Sequence, residues 1–439
     1  MNLKNKAAPN PTAQRILESV LAAADPAALL KDSLQRDGNR LLVGHYELSL
    51  PRDGRIYLIA IGKAASRLAE TTVDILGASP HAGLLTLLAE HECDPPAPIR
   101  VFQAGHPLPD QGSLAAGAYA ADMLADATPE DRLIVLISGG GSAMFELLPE
   151  EIRLDHVRTL TEDMLQAGMP IQEMNRVRQA LSLVKGGGLA EMAAPAMTIA
   201  MILSDVVGNP LEDVASGPTI PTQTGPETAR SVLERYDLWH GLPEPVKNRL
   251  KDQQPRSPMI FQPVNVLLGG NEIALAAAND ALGSLGYQLE IVTAAMQGEA
   301  RQAGRAFAER LAETEAGRAL LQGGETTVTV TGSGRGGRNQ EFALAAALEL
   351  EGGPARTIMA LATDGIDGGT EAAGAVVDHR TAAEIRANNL DPEALLANND
   401  SHRALASVDA LIHTGPTGTN LCDLVVGWHD QESEAPPSR

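Results

Sequence analysis

Seven short apolar runs in this chain each end in a glycine-bearing polar segment, and most of them lead on into a helix-like pattern. The runs lie at residues 56–61, 133–137, 198–203, 264–268, 326–330, 357–361 and 410–413. The segments after them read GKAAS, SGGGSA, SDVVGN, GGNEIA, TGSGRGGRN, ATDGIDGG and TGPTGTN. Alternation of this kind predicts an α/β protein whose parallel strands are joined by crossover helices. Most of the runs are continuously apolar, so their strands are expected to be covered on both faces. In open parallel sheets ligands gather beyond the carboxyl ends of the strands, which makes these segments the first candidates for function. Any one of them has an ordinary explanation, because glycine ends strands and caps helices throughout such proteins. Seven in one chain are harder to set aside.

At 439 residues the chain exceeds what one hydrophobic core usually organises, so two domains are expected. Apolar periodicity lapses between residues 241 and 258. That places one domain at 1–255 and a second at 256–430, with a disordered acidic tail at 431–439. Residues 12–32 have the spacing of an amphipathic helix. Aromatic residues make up only 3% of the chain, so Ala, Leu, Val and Ile must build the core. With 34 basic against 56 acidic side chains the net charge is −22, which argues against nucleic acid and anionic membranes as partners. A phosphate ligand must then be held by a local basic cluster. Cys93 and Cys422 are too few for a disulfide framework and lack metal-ligand spacing. No signal-peptide core or membrane-length apolar run is present, and the expected compartment is the cytoplasm.

The segment TTVTVTGSGRGGRNQEFALAAALEL carries the densest chemistry. Gly332, Gly334 and Gly337 satisfy G-x-G-x-x-G, which taken literally is a dinucleotide fingerprint. Arg335 and Arg338 stand among these glycines, and no acidic residue ends a strand about 20 residues on to hold a ribose. Glycine amides, a helix start and two guanidiniums fit phosphoryl oxygens better than hydride transfer. Gly334, Arg335, Gly336, Gly337 and Asn339 are therefore read as a phosphate cradle, the competing reading being a tight turn with solvated arginines. Lys63 stands at another strand end and, placed in the first turn of a helix, opposes the helix dipole unless an anion is present. Ser138, Gly139, Gly140, Gly141 and Ser142 form a third loop that could wrap a carboxylate or phosphates. Among the carboxylates at strand ends, Asp205, Asp364 and Asp367 suit Mg²⁺ or a substrate hydroxyl, with helix capping as the alternative. His106 in AGHPLPD is the most pointed histidine, though a turn histidine beside proline is usually structural.

These strings together resemble the MOFRL-type glycerate 2-kinases, whose relatives are also labelled hydroxypyruvate reductases. The resemblance rests on GKAA at Lys63, GHPLPD, SGGGSA, NRVRQALSLVKGGGLA, SDVVGN and ASGPT in the first half. In the second half it rests on GGETTVTV, GRGGRNQEFAL, ATDGIDG, NDS and TGPTGTN, all in the family's order. It implies a Rossmann-like N-terminal domain, a smaller C-terminal α/β domain and an active site in the cleft between them. It further implies ATP and Mg²⁺ as cofactors, glycerate as substrate, and Lys63 and Arg338 as central to catalysis, with a homodimer as an admissible assembly. Family members often carry Asp where this chain has Asn209 and Thr222, so the metal burden falls on Asp205, with Asp364 also facing substrate. The substrate 2-hydroxyl would attack the γ-phosphorus while Mg²⁺, Lys63 and Arg338 neutralise phosphoryl charge. An NAD(P)H-dependent hydroxypyruvate reductase and a non-catalytic sugar-acid sensor are the two rival readings.

Overall fold

The structure, a computed structural model, describes residues 7–50, 53–88, 93, 95, 98–222, 226–252 and 262–430. They fall into two compact units. One comprises Pro26–Asp205 with Asn209–Leu268; the other comprises the chain from Gly269, Val206–Gly208 and the segment ending at Asp25. The helix expected over 12–32 is two helices, Pro11–Ala23 and Pro26–Ser33, because Pro26 can start a helix but not continue one. Their apolar faces serve different units. Ile16, Leu17, Val20 and Leu21 share a core with Ala274, Ala278 and Leu282 of helix Asn271–Gly283. The first helix thus belongs to the second unit, whereas the sequence reading placed it in the first. The expected boundary segment holds the helix Glu244–Asp252, and its part from 253 to 258, like the 431–439 tail, lies outside the described residues.

In the first unit six strands lie in the spatial order Ile99–Gln103, Ala82–Leu87, Ile56–Ile61, Arg132–Ile137, Met197–Leu203, Val264–Gly269. The first five pair in parallel. This is the 3-2-1-4-5-6 order of a doubly wound sheet. IYLIAI and RLIVLI are buried along nearly their whole length, as continuous apolar runs require. A separate antiparallel meander is formed by Leu34–Asp37, Arg40–Val43 and Tyr46–Ser49.

The second unit departs from the expected parallel pattern. Its sheet runs Gln288–Met296, Arg318–Gly324, Asp423–His429, Arg356–Ala362, Gly374–Asp378, Leu411–Ile412, and only the first pair is parallel. The last strand, Asp423–His429, inserts antiparallel between Arg318–Gly324 and Arg356–Ala362, a register no local pattern announces. The strand expected at 326–330 lies instead at Arg318–Gly324, a stretch that the sequence patterning did not single out. Residues 326–330 are largely exposed: Thr327 makes one isolated bridge to Glu299, and Val330 is 72% exposed. Among the described residues no helix is long and apolar enough to cross a membrane.

Candidate functional site

The first unit's topological switch point lies between strands Ile56–Ile61 and Arg132–Ile137. From there the chain crosses to one side of the sheet and then to the other, leaving a crevice at the strand ends. Two of the glycine segments meet at this point. Gly62 has φ +100°, and a Cβ there would stand 2.3 Å from the Ser138 carbonyl oxygen, so only glycine lets the two loops touch. The Lys63 N–H donates to the Gly139 carbonyl at 2.9 Å, and the Ala64 N–H donates to Ser138 Oγ at 3.0 Å. Ser138 in turn donates to the Ile61 carbonyl at 3.2 Å. Its buried hydroxyl thereby sews the loops together, a different task from the ligand contact expected of it. Lys63 is half-buried just ahead of helix Ala65–Leu76. Its Cγ and the His106 ring both lie within 3.5 Å of where a Gly140 Cβ would be, so these three residues converge.

Gly141 and Ser142 open the short helix Gly141–Met144 beside a strained segment. Ala215 and Ser216 adopt φ +50° and +59°, a left-handed conformation that costs a non-glycine residue about 1–3 kcal/mol and persists only where neighbours enforce it. Gly186 and Gly187 supply that enforcement: their N–H groups donate to the Ser216 and Gly217 carbonyls at 3.0 and 2.8 Å. Ala215 Cβ packs 2.9 Å from where a Gly141 Cβ would stand, and Ser216 Oγ lies 2.6 Å from Ser142 Oγ. Behind the loop, Lys185 is fully buried, with Nζ 2.6 Å from Glu146 Oε2 and donating to the Phe145 carbonyl at 3.1 Å. Burial pushes the Lys185 ammonium below its ordinary range, partly offset by Glu146. Asp205 follows strand Met197–Leu203 and is half-buried.

In the second unit the helix Arg338–Leu350 begins at Arg338. Its free N–H groups are capped from a distant loop: Asn339 N–H donates to Asp367 Oδ1 at 3.1 Å and Gln340 N–H to Oδ2 at 2.9 Å. The Asn339 and Gln340 side-chain amides complete the shell at 3.3 and 3.0 Å. Burial, with Asp423 nearby, pushes the Asp367 carboxyl up to about 6 although these N–H donors pull the other way. Asp367 was one of the expected metal ligands; its geometry is that of a cap with both oxygens committed.

The phosphate cradle expected of the glycine loop also meets a different geometry. The Thr331 and Gly332 N–H groups donate to Asn399 Oδ1, Ser333 to Asn398 Oδ1, Gly334 to the Asn398 carbonyl and Arg335 to Asp400 Oδ1, all at 2.9–3.1 Å. A Cβ at Gly334 would stand 2.4 Å from Asp400 Cβ, and one at Gly337 2.3 Å from Asp367 Cγ. Gly336 packs against Ser401 in the same way. These glycines are therefore set by packing against segment 398–402 and Asp367. Arg335 extends into solvent, 3.4 Å from Glu371. Arg338 differs: Nε and Nη2 grip Asp423 at 2.5 and 3.0 Å, and Nη1 pairs with Glu325. Burial opposes the charge, but Asp423 and Glu325 outweigh it and raise Arg338 above its ordinary range. Asp364 Oδ1 accepts from the Ile366 N–H at 3.1 Å, and its carbonyl accepts from the Thr417 N–H at 3.1 Å, tying two of the polar segments together.

Residues 12–251 match a domain of unknown function, DUF4147, and residues 318–423 match the MOFRL family. A D-glycerate 2-kinase of Thermotoga maritima is 39% identical over 85% of this chain and 90% of its own length. The chain belongs to the glycerate 2-kinase family. The human glycerate kinase, 35% identical, covers 94% of the chain and 91% of its own length. The crystal structure of the Thermotoga maritima glycerate kinase superposes with a TM-score of 0.82 at 36% identity, over 95% of this chain and 98% of that one. A Pyrococcus horikoshii protein of known structure gives 0.76 at 35%, over 96% and 98%. Within this kinase family the expected two-domain α/β architecture holds, one unit Rossmann-like and the other built on the mostly antiparallel sheet.

Of the expected site residues, the first unit brings Lys63 together with Gly139 and Gly140, sets Gly141 against Ala215 and Ser142 against Ser216, and the second brings Arg338 close to Asp367. Sequence reading missed Asn175, Asp213 and Ser216 behind Ser142, and Asp423 and Glu325 around Arg338. Ser216 lay inside the string ASGPT and Asn175 inside NRVRQ, so both were visible as motif letters without a role. Asp423 lies three residues beyond TGPTGTN, outside every segment singled out, and carried no signal of its own.

Proposed function

We propose that this chain transfers the γ-phosphate of ATP to the 2-hydroxyl of glycerate, giving 2-phosphoglycerate in a Mg²⁺-dependent reaction. The observation that carries the reading is Lys63 at the switch point of a 3-2-1-4-5-6 sheet, where an ammonium and two glycine segments meet at the strand ends. Family membership supports the same chemistry. Lys63 offers a point charge to a phosphoryl or carboxylate oxygen. Arg338, held flat by Asp423, offers a preorganised guanidinium whose Nη1 edge, now on Glu325, is the one an anion would take.

Among the described residues no three His, Cys, Asp or Glu side chains cluster as a metal cage. Mg²⁺ carried on nucleotide phosphates needs only one or two protein carboxylates. Asp205 in the first unit or Asp364 in the second would supply such a carboxylate, Asp367 being committed to its cap, and the ion would neutralise phosphoryl charge. Among the described residues neither cysteine is in a disulfide, which suits a reducing cytoplasm.

The reductase reading loses its support, because the formal G-x-G-x-x-G follows no strand and most of its amides face protein acceptors. The test is ADP formation by purified protein with glycerate, ATP and Mg²⁺, with phosphorus NMR locating the phosphorylated carbon. Glycerate-dependent ADP and 2-phosphoglycerate are expected. NADH oxidation by hydroxypyruvate without ATP, or glycerate binding without turnover, would overturn the proposal.

A further inference from the structure

Ser142 is half-buried in the switch-point loop, and its Oγ lies 2.6 Å from Ser216 Oγ. Ser216 is buried, and its hydroxyl donates to Asn175 Oδ1 at 2.9 Å. Asn175 is oriented from its far side. Its Nδ2 donates to Asp213 Oδ1 at 3.1 Å and to the Asp213 carbonyl at 3.2 Å, while Arg178 Nη1 donates to Asn175 Oδ1 at 3.5 Å. A carboxylate accepts only, so the NH₂ of Asn175 must face Asp213 and its oxygen must face Ser216. The single Ser216 proton is then spent on Asn175. Of two hydroxyls in contact one must donate, and Ser142 is the one left to do so. What Ser142 presents to a ligand is a lone pair.

That polarity selects a partner. Phosphate and carboxylate oxygens are acceptors and gain nothing from a lone pair, whereas a ligand hydroxyl can donate to it. The reacting hydroxyl must lose its proton, and a neutral serine is too weak a base to take it. Resting on the kinase reading above, we infer that Ser142 Oγ accepts a hydrogen bond from the hydroxyl of the acid substrate that is not phosphorylated. Asp213, through Asn175 and Ser216, is a positioning residue that fixes this polarity. The left-handed backbone at Ala215 and Ser216 is the cost of aiming Ser216 at the loop.

The comparison that tests this sets glycerate against lactate, which lacks the 3-hydroxyl, using rates and the competitive inhibition constant of lactate. Wild-type enzyme is expected to favour glycerate by about 100-fold or more, since a site built around a hydroxyl rejects the analogue lacking it. Ser142→Ala should lose about 10-fold or more in kcat/KM for glycerate while lactate inhibition and the KM for ATP stay put, collapsing the ratio. Asp213→Ala should move the ratio the same way by a smaller factor, and Asp213→Asn, which keeps an oxygen toward Asn175, should restore it. Should Ser142→Ala not fold, Ser216→Ala frees the Ser142 proton and must also lower the ratio. Proportional losses on both acids, or a raised KM for ATP, overturn the assignment. If wild-type protein forms no ADP with glycerate, the kinase reading fails; calorimetric binding of the two acids then decides the role of Ser142 by the same ratio.

Discussion

Replacing Lys185 by Met removes an ammonium from the interior of the first unit and leaves Glu146 behind. The Lys185 and Glu146 side chains are 2% and 4% exposed, so neither charge has water to fall back on. Glu146 would keep the Ser182 hydroxyl and lose the 2.6 Å contact with Nζ, and the Phe145 carbonyl would lose its 3.1 Å donor. Removing one partner of a buried pair costs about 3–5 kcal/mol, most of it the uncompensated charge. A unit of roughly 240 residues unfolds with about 0.5 kcal/mol/K, so its melting temperature should fall by about 6–10 °C. Calorimetry on Lys185→Met reads this directly. If the cost is the orphaned charge, Lys185→Met combined with Glu146→Leu should recover about half of the loss or more, since an apolar replacement of both partners is often neutral. A single variant as stable as wild type, or a double variant no better than the single, would refute the reasoning. Because the pair anchors Phe145 directly after helix Gly141–Met144, the single variant should also lose turnover before it unfolds.

Further outcomes follow from other contacts. Arg338→Lys keeps the charge but cannot span both Asp423 oxygens, and kcat should drop by about 10-fold to several hundred-fold in a protein that still folds; wild-type turnover would remove Arg338 from the reaction. Lys63→Met should abolish most turnover in a folded protein, and an unfolded variant would make Lys63 structural. Asp367→Ala strips acceptors from Asn339 and Gln340 and should cost the second unit about 1–3 kcal/mol in chemical denaturation. Asp131 accepts from the Arg55 guanidinium and from the Arg55 and Thr128 N–H groups; burial opposes its charge, but these donors prevail and hold its carboxyl well below the usual carboxylate range. Its stabilisation is therefore present above about pH 4 and lost as pH falls further. Melts of Asp131→Asn should trail wild type at pH 7 and converge with it toward pH 2, and a constant gap would contradict the assignment.

The first unit was legible because its strands are parallel and buried on both faces. In such a sheet the apolar run, the glycine after it and the helix beyond it all sit in one stretch of sequence, and 56–61 was read to the residue. The second unit was less so, because its central strand Asp423–His429 pairs with partners roughly 70 and 100 residues away in sequence, and antiparallel neighbours need no local crossover pattern. Ser142 and Lys63 were found from their own neighbours in sequence. Asn175 and Asp213 were not, since what gives them meaning is contact with Ser216, 41 residues from one of them along the chain.

The same letters did two kinds of work in the two units, and this is where pattern reading stops. At the switch point, glycine at positions 62 and 140 brings two strand ends and Lys63 within contact of each other, the arrangement a ligand crevice requires. In the loop before Arg338, glycine at 334 and 337 instead lets the chain lie against Asp400 and Asp367, which take the N–H groups a phosphate would have used. Sequence spacing cannot tell an amide offered to a ligand from one already given to a carboxylate. The second arrangement has its own structural result: capping by Asp367 fixes the helix start, and the helix start together with Asp423 fixes the plane of Arg338. The loop read as a binding surface is thus better understood as the mounting for one guanidinium.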